Sequence, residues 1–432
     1  MKILAFTAGA ARMYCGSCLR DNTLAAELRR QGHDIVLMPI YTPTRTDEPN
    51  VSDPRVFMNG ITVCLEQQSA FFRKTRWLLD GLWDAPWIIR LATKTSIAVD
   101  PHVLGAMTVS MLRGEAGYQR KDIGKMTAWL ASELPPEIVT LPNSLLSGLA
   151  KPIREAVRRP LCCTLQSEDL FLSQLPEPYQ SQSWELIRAN TAYVDRYAAV
   201  SEFSADYWRE RLGIPASKID VVPLGINVED SDRHPGAHSG RFTVGYLARI
   251  APEKGLHLLA ESYIKLRRET DFDGSFEAAG YLAPEHRGYL RDIEKKLSDA
   301  GLPNDFRYRG ELDRAGKIEF LHSLDVMSVP CTYDEPKGLS VLEAMANGVP
   351  VVQPRRGAFP EMLARTGGGV LVEPDDAGSL ARAIHLLWKD RDQLAELGRR
   401  GAAGVREHYG VAQMAARAIE VYRNTAVSAV HA

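Results

Sequence analysis

Twice along its 432 residues the sequence alternates short apolar runs with amphipathic helical stretches, and few folds other than a helix-wrapped parallel sheet accept that pattern. In the first block, residues 2–7 are apolar, residues 8–17 are small and flexible, and residues 19–30 are helical in period. Gly32-His33 stops the helix, and residues 34–41 are apolar again, which makes one βαβ unit. Further apolar runs at 138–141, 161–165 and 197–200 extend the sheet. The run 219–227 ends in a Pro/Gly turn and the polar stretch 229–239 reads as a linker. Alternation then restarts at 242–248 and continues through 276–280, 306–310, 326–330, 349–353 and 369–372. Single cores stop growing near ~250–300 residues, so a chain of this length divides. The expectation is an α/β protein of two Rossmann-like, doubly wound parallel-sheet domains facing a cleft. Their predicted bounds are 1–225 and 226–411, with the closing helix, 412–432, packing back on the first.

Composition removes several function classes. A charged fraction of 25% and a hydrophobic fraction of 45% belong to a folded chain, and a net charge of -2 offers polyanions no general attraction, so nucleic acid is not an expected partner. No stretch approaches the ~20 apolar residues of a membrane-spanning helix. The opening Met1-Lys2-Ile3-Leu4-Ala5-Phe6 with Ala8-Gly9-Ala10 mimics a short signal peptide, but the run doubles as the first core strand. A cytoplasmic protein is expected. Six cysteines do not make a disulfide framework in a chain this long. Cys15-Gly16-Ser17-Cys18 has the spacing of a redox pair or half a zinc site, yet no second CxxC follows, so small residues lining a tight loop are the preferred reading. No metal or other cofactor is expected.

The second block carries the chemistry. Its first strand ends at Arg249, and Pro252-Glu253-Lys254-Gly255 opens the next helix, so two cations meet at one strand-to-helix turn. Ligands bind open α/β sheets at such turns, and a guanidinium with an ammonium there suits a diphosphate. A pair of solvated surface charges is the alternative reading. Further on, Asp334-Glu335-Pro336-Lys337-Gly338-Leu339-Ser340 leads into a helix that carries Glu343 about one turn inside. The loop amides of Gly338, Leu339 and Ser340 then aim at an anion, Gly338 lets backbone approach closely, and Glu343 has the acceptors to hold a ribose diol.

Arg249 with Lys254, followed by Glu335 and, after seven intervening residues, Glu343, resembles the retaining glycosyltransferases of family 4. Pro223-Leu224-Gly225-Ile226-Asn227 resembles the family's turn near the linker, Ala199-Val200-Ser201 its preceding strand, and Gly357-Ala358-Phe359-Pro360-Glu361 the turn after Val349-Pro350-Val351-Val352. The resemblance implies a GT-B fold, a nucleoside-diphosphate-sugar donor, and transfer with retention without a metal. Arg249 and Lys254 would stabilise the leaving diphosphate, Glu343 would hold the ribose hydroxyls, and Glu335 those of the transferred sugar. The leaving phosphate oxygen would serve as base toward the acceptor. Two departures stand out. The first domain's glycine loop approaches the donor through Gly16 alone, where relatives show paired glycines, and Gln166 stands where many relatives carry His, with Asp169 close behind. Gln166 and Asp169 are therefore candidate sugar or acceptor contacts.

The acceptor, a glycan, a lipid-linked sugar or a small molecule, is not legible. Aromatic and basic residues interleave from Phe71 to Arg90, which reads as a helical hairpin over the first domain, an acceptor pocket, or a peripheral contact with the inner face of the membrane. Two other functions fit the same donor site: a nucleotide-sugar epimerase or hydrolase, and a sugar-nucleotide-binding protein that has lost catalysis. An NAD-type oxidoreductase fits less well because the first loop lacks G-x-G-x-x-G.

Overall fold

A computed structural model describes residues 1–9, 16–44, 46, 48–56, 58, 101–133, 135–228 and 241–430. The linker stretch and the aromatic and basic segment from Phe71 to Arg90 lie outside the described residues. The chain divides into two compact units, one formed by Met1–Pro223 with Met414–Ala432 and the other by Leu224–Gln413.

In the first unit, six parallel strands lie in the order β2-β1-β3-β4-β5-β6. They are β1 (Lys2–Thr7), β2 (Asp34–Pro39), β3 (Ile138–Leu141), β4 (Leu161–Leu165), β5 (Arg196–Ala199) and β6 (Ile219–Val221). Every residue of β3 and β4 is buried, as expected of parallel strands covered on both faces, which is why they read as unbroken apolar runs. Around them pack Phe6, Leu141, Leu165 and the pair Trp184 and Trp208, whose ring centroids are 5.7 Å apart. The last helix, Val411–Val430, is tied to this unit where Arg417 Nε donates to the carbonyl of Val221 at 3.1 Å.

The second unit repeats the plan with β7 (Phe242–Leu247), β8 (Gly274–Ala279), β9 (Phe306–Tyr308), β10 (Val326–Met327), β11 (Val351–Pro354) and β12 (Gly369–Val372). Their order is β12-β11-β10-β7-β8-β9, all parallel. Read from β9, that is third, second, first, fourth, fifth, sixth, the doubly wound order whose direction of travel reverses between its first and fourth strands. The reversal falls between β7 and β10, paired Val244 to Val326 and Gly245 to Met327. In the first unit the corresponding reversal lies between β1 and β3, paired Ile3 to Ile138. Among the described residues, no helix is long and apolar enough to cross a membrane.

Candidate active site

At the carboxyl end of β7 the chain turns through Arg249 into a single 3-10 turn, Pro252–Lys254, and only then into the helix Leu256–Glu269. Lys254 therefore sits in the turn ahead of the helix. Gly255 joins the two at φ 77°, and a Cβ there would stand 1.9 Å from the carbonyl oxygen of Pro330. Only glycine permits this approach, which presses the turn after β7 onto the segment after β10.

Lys254 consequently reaches that segment. Its Nζ donates to Glu335 Oε2 and to the Tyr333 hydroxyl oxygen, each at 2.5 Å, and lies 4.9 Å from the centre of the Tyr333 ring. The Tyr333 hydroxyl in turn donates to Glu335 Oε2. Glu335 Oε1 faces the other way, toward the amides of Lys337 at 3.1 Å and Gly338 at 3.5 Å. The backbone of Glu335 is also fixed. Its carbonyl accepts from the Ala358 amide at 2.9 Å, and Gly357, at φ 56°, packs so close that a Cβ would stand 2.4 Å from that oxygen.

Electrostatics keep this cluster ionised. Burial pushes the Glu335 carboxyl upward, but Lys254, Lys337 and the hydrogen bonds outweigh it and bring the pKa down to about 2. Burial pulls the Lys254 ammonium downward, and the facing Glu335 carboxylate overcomes that, leaving it raised. The Tyr333 phenol is pushed far up, by burial first and then by Glu335, so it stays a hydrogen-bond donor. Cys331 is pushed up to about 12 by burial, and Cys162 in the first unit likewise, so neither is a ready thiolate nucleophile.

The other expected residues of this unit occupy the same sheet edge with different partners. Arg249 is about half exposed and forms a 2.6 Å ion pair with Glu253. Gly338, at φ 60°, caps the helix Leu339–Ala346, whose first turn presents the amides of Leu339 and Ser340. Glu343 does not join the Lys254 cluster. Its Oε1 accepts from Lys317 Nζ at 2.5 Å, across from the helix Arg314–His322. Tyr333 and Lys317 are functional partners that only the fold brings to these carboxylates. Neither carries a spacing signal in the sequence, and the nearest to one is the position of Tyr333 two residues before the loop glutamate.

In the first unit, Gly16 and Ser17 open the helix Gly16–Arg30, and the Gln166 amide donates to Ser17 Oγ at 2.6 Å and to the carbonyl of Pro142 at 2.9 Å. Gln166 is buried, and its Oε1 has no partner among the described residues. The adjacent carboxylate that organises this edge is Glu168 rather than Asp169. Glu168 is 5% exposed and accepts from the amides of Gln166 at 2.7 Å and Ser144 at 2.8 Å, whereas Asp169 is half-buried at the start of the short helix Glu168–Ser173. Cys18 is buried, and Cys15 lies outside the described residues.

The sequence matches two families, Glycosyltransferase Family 4 over residues 22–230 and Glycosyl transferases group 1 over residues 227–403. It is 30% identical over 193 residues to the lipopolysaccharide core biosynthesis mannosyltransferase LpsB of Rhizobium meliloti, covering 44% of this chain and 53% of that protein. It is 26% identical over 243 residues to a GDP-mannose-dependent alpha-(1-6)-phosphatidylinositol monomannoside mannosyltransferase of Mycobacterium tuberculosis, covering 52% and 61%. These alignments span between half and three-fifths of the relatives' lengths. A third relative, the 2-deoxystreptamine glucosyltransferase of Streptomyces kanamyceticus, is 26% identical over 69% of this chain and 83% of its own. Among solved structures, HepE of Anabaena in complex with UDP superposes with a TM-score of 0.69 at 17% identity, over 98% of this chain and 100% of that one. Sucrose-phosphate synthase of Thermosynechococcus elongatus superposes at 0.71 and 18% identity, over 99% and 100%. Such structural likeness establishes the GT-B fold alone. Because the two family matches run on from one another and together reach from residue 22 to residue 403, the chain belongs to the group 1, or family 4, glycosyltransferases.

Proposed function

We propose that this protein is a retaining, metal-independent hexosyltransferase that moves a sugar from a nucleoside-diphosphate sugar to a hydroxyl of a glycan, a lipid-linked sugar or a small molecule. The observation that carries the reading is the Lys254, Tyr333 and Glu335 cluster at the strand-order reversal of the second sheet. In this reading Lys254 and Arg249 face the diphosphate, where negative charge grows as the glycosidic bond breaks, and stabilise that charge electrostatically. The amides of Gly338, Leu339 and Ser340 add aligned N–H groups. Glu335, held ionised, accepts from hydroxyls of the transferred sugar, and Glu343 accepts from the ribose diol. The departing phosphate oxygen takes the acceptor's proton on the face from which it leaves, which gives retention and asks for no protein base.

The named activities of the relatives support a hexose, since they include mannosyl and glucosyl transfer. They also bracket the acceptor: one is named for a phosphatidylinositol monomannoside and another for 2-deoxystreptamine. A lipid-linked acceptor would place a cytoplasmic enzyme at the inner membrane face. In the first unit, Gln166 contributes a neutral hydrogen-bonding side chain where many relatives carry His, with Gly16 near it and Asp169 the outer carboxylate of that edge.

Thermal melting with UDP, GDP, ADP, CDP and NAD tests the reading. A ligand at ~100 times its Kd stabilises by ~2.7 kcal/mol, so one nucleoside diphosphate should raise the melting temperature distinctly while NAD does not. Product analysis with the matching sugar nucleotide then separates transfer to an acceptor from hydrolysis or epimerisation. A folded protein that responds to none of the five abandons the donor-site assignment.

A further inference from the structure

Lys254 spends two of its three N–H donors on Glu335 and Tyr333, so the way Glu335 is left when Lys254 turns toward a diphosphate decides how readily the site accepts a donor. A buried carboxylate that loses its paired cation costs several kcal/mol, which would oppose binding. Glu335 does not lose everything. With Lys254 withdrawn it keeps the Tyr333 hydroxyl on Oε2 and the Lys337 amide on Oε1.

We propose that Tyr333 is a positioning residue for the donor diphosphate: its hydroxyl holds Glu335 in place of Lys254, which frees the ammonium for the phosphates. This rests on the donor-site reading above. Three features support it. The phenol is held protonated by burial and by Glu335, so it remains a donor throughout the working pH range. It shares the same carboxylate oxygen as Lys254, so substitution of one donor for the other needs no movement of Glu335. Glu335 itself is clamped by the Ala358 amide and by Gly357 against its backbone, so the moving member of the cluster is the flexible lysine. Without the hydroxyl, Glu335 would bind Lys254 more tightly and release it less readily.

The test is calorimetric binding of UDP, GDP and ADP, each beside its own nucleoside, to wild type, Tyr333→Phe and Tyr333→Leu. Tyr333→Phe retains the ring and removes one charge-assisted hydrogen bond, so its affinity for the preferred diphosphate should fall ~10-fold or more, with nucleoside affinity unchanged. The Michaelis constant for the sugar nucleotide should rise in parallel. Tyr333→Leu, which also removes the ring, should fall further. A merely structural tyrosine would lower thermal stability while shifting diphosphate and nucleoside binding together or not at all. Equal diphosphate affinity in wild type and folded Tyr333→Phe overturns the proposal. Failure of wild type itself to bind any nucleoside diphosphate overturns instead the donor-site reading on which it rests.

Discussion

The strand-order reversals of the two sheets are furnished in opposite ways. Beside β7 and β10, ionised groups meet and satisfy one another: Lys254 with Glu335, Tyr333 with both, and backbone amides on the remaining carboxylate oxygen. Beside β1 and β3, and on the neighbouring β4, Glu168 organises the loops through neutral donors, and buried oxygens of Gln166, Asn143 and Thr7 lack partners among the described residues. On the proposed donor-site reading, the difference follows from what each edge would hold. A buried ion pair must be complete before a ligand arrives, because an unpaired charge is costly to bury, whereas a neutral amide oxygen can wait for a hydroxyl at a smaller penalty. At these two edges, charge thus gathers beside Lys254 and neutral hydrogen-bonding capacity beside Gln166, although the first unit also buries an Arg20–Asp21 ion pair that reaches Thr164 of β4.

The strongest attempt to break this contrast is Lys254→Ala. Turnover should fall ~10²–10³-fold, the usual effect of deleting one group that stabilises developing negative charge, while Glu335 keeps its other donors and the protein still folds. Steady-state kinetics decide it, and a kcat near wild type would remove Lys254 from the reaction. Next is Glu168→Ala, the corresponding deletion in the first unit. It strands the Gln166 and Ser144 amides, so denaturant unfolding should show a loss of ~2–4 kcal/mol, with nucleoside-diphosphate affinity intact if donor chemistry resides in the other unit.

Glu343→Ala has a smaller expected effect, ~10-fold weaker nucleoside and nucleoside-diphosphate binding, since one acceptor to a ribose diol is lost. Calorimetry with nucleoside alone sharpens the point: Glu343→Ala should weaken it and Tyr333→Phe should not. The smallest effect is one of pH. The Glu335 pKa is lowered to about 2 in the folded protein, while an unfolded glutamate titrates near ~4.3. Its contribution to stability is therefore complete above ~4.3 and is lost as the pH falls toward 2. The stability gap between wild type and Glu335→Gln should accordingly be constant from pH 7 to 5 and narrow below ~4. A gap independent of pH would show that Glu335 is not held ionised by its neighbours.

The fold was legible because its signal is local. β3 and β4 occupy 138–141 and 161–165, where unbroken apolar runs stand, since parallel strands shielded on both faces need no polar side. Ends were less legible. The run 326–330 yields only Val326–Met327 as β10, because the ladder to β7 and β11 stops there and the chain leaves for the segment that carries Tyr333. The turn at Pro252–Lys254 read as the first turn of a helix, yet Gly255 separates it from Leu256–Glu269, and that separation is what aims Lys254 across the sheet edge. Glu335 and Glu343 read alike as carboxylates of one crevice. Their partners differ, Lys254 for one and Lys317 for the other, because loop and helix present them in different directions.

Sequence by itself determined the alternation of strand and helix, the division into two α/β blocks' worth of elements, and the residue types that suit a diphosphate and a diol. Those follow from periodicity and side-chain chemistry, which act over a few neighbouring residues. Tertiary structure alone decided that Lys254 meets Glu335 across 81 positions, that Tyr333 completes their triangle, and that Glu168 rather than Asp169 is the buried carboxylate of its loop. Those choices depend on which strands become neighbours and how closely two turns pack, and non-local pairing leaves no period in the sequence from which to read it.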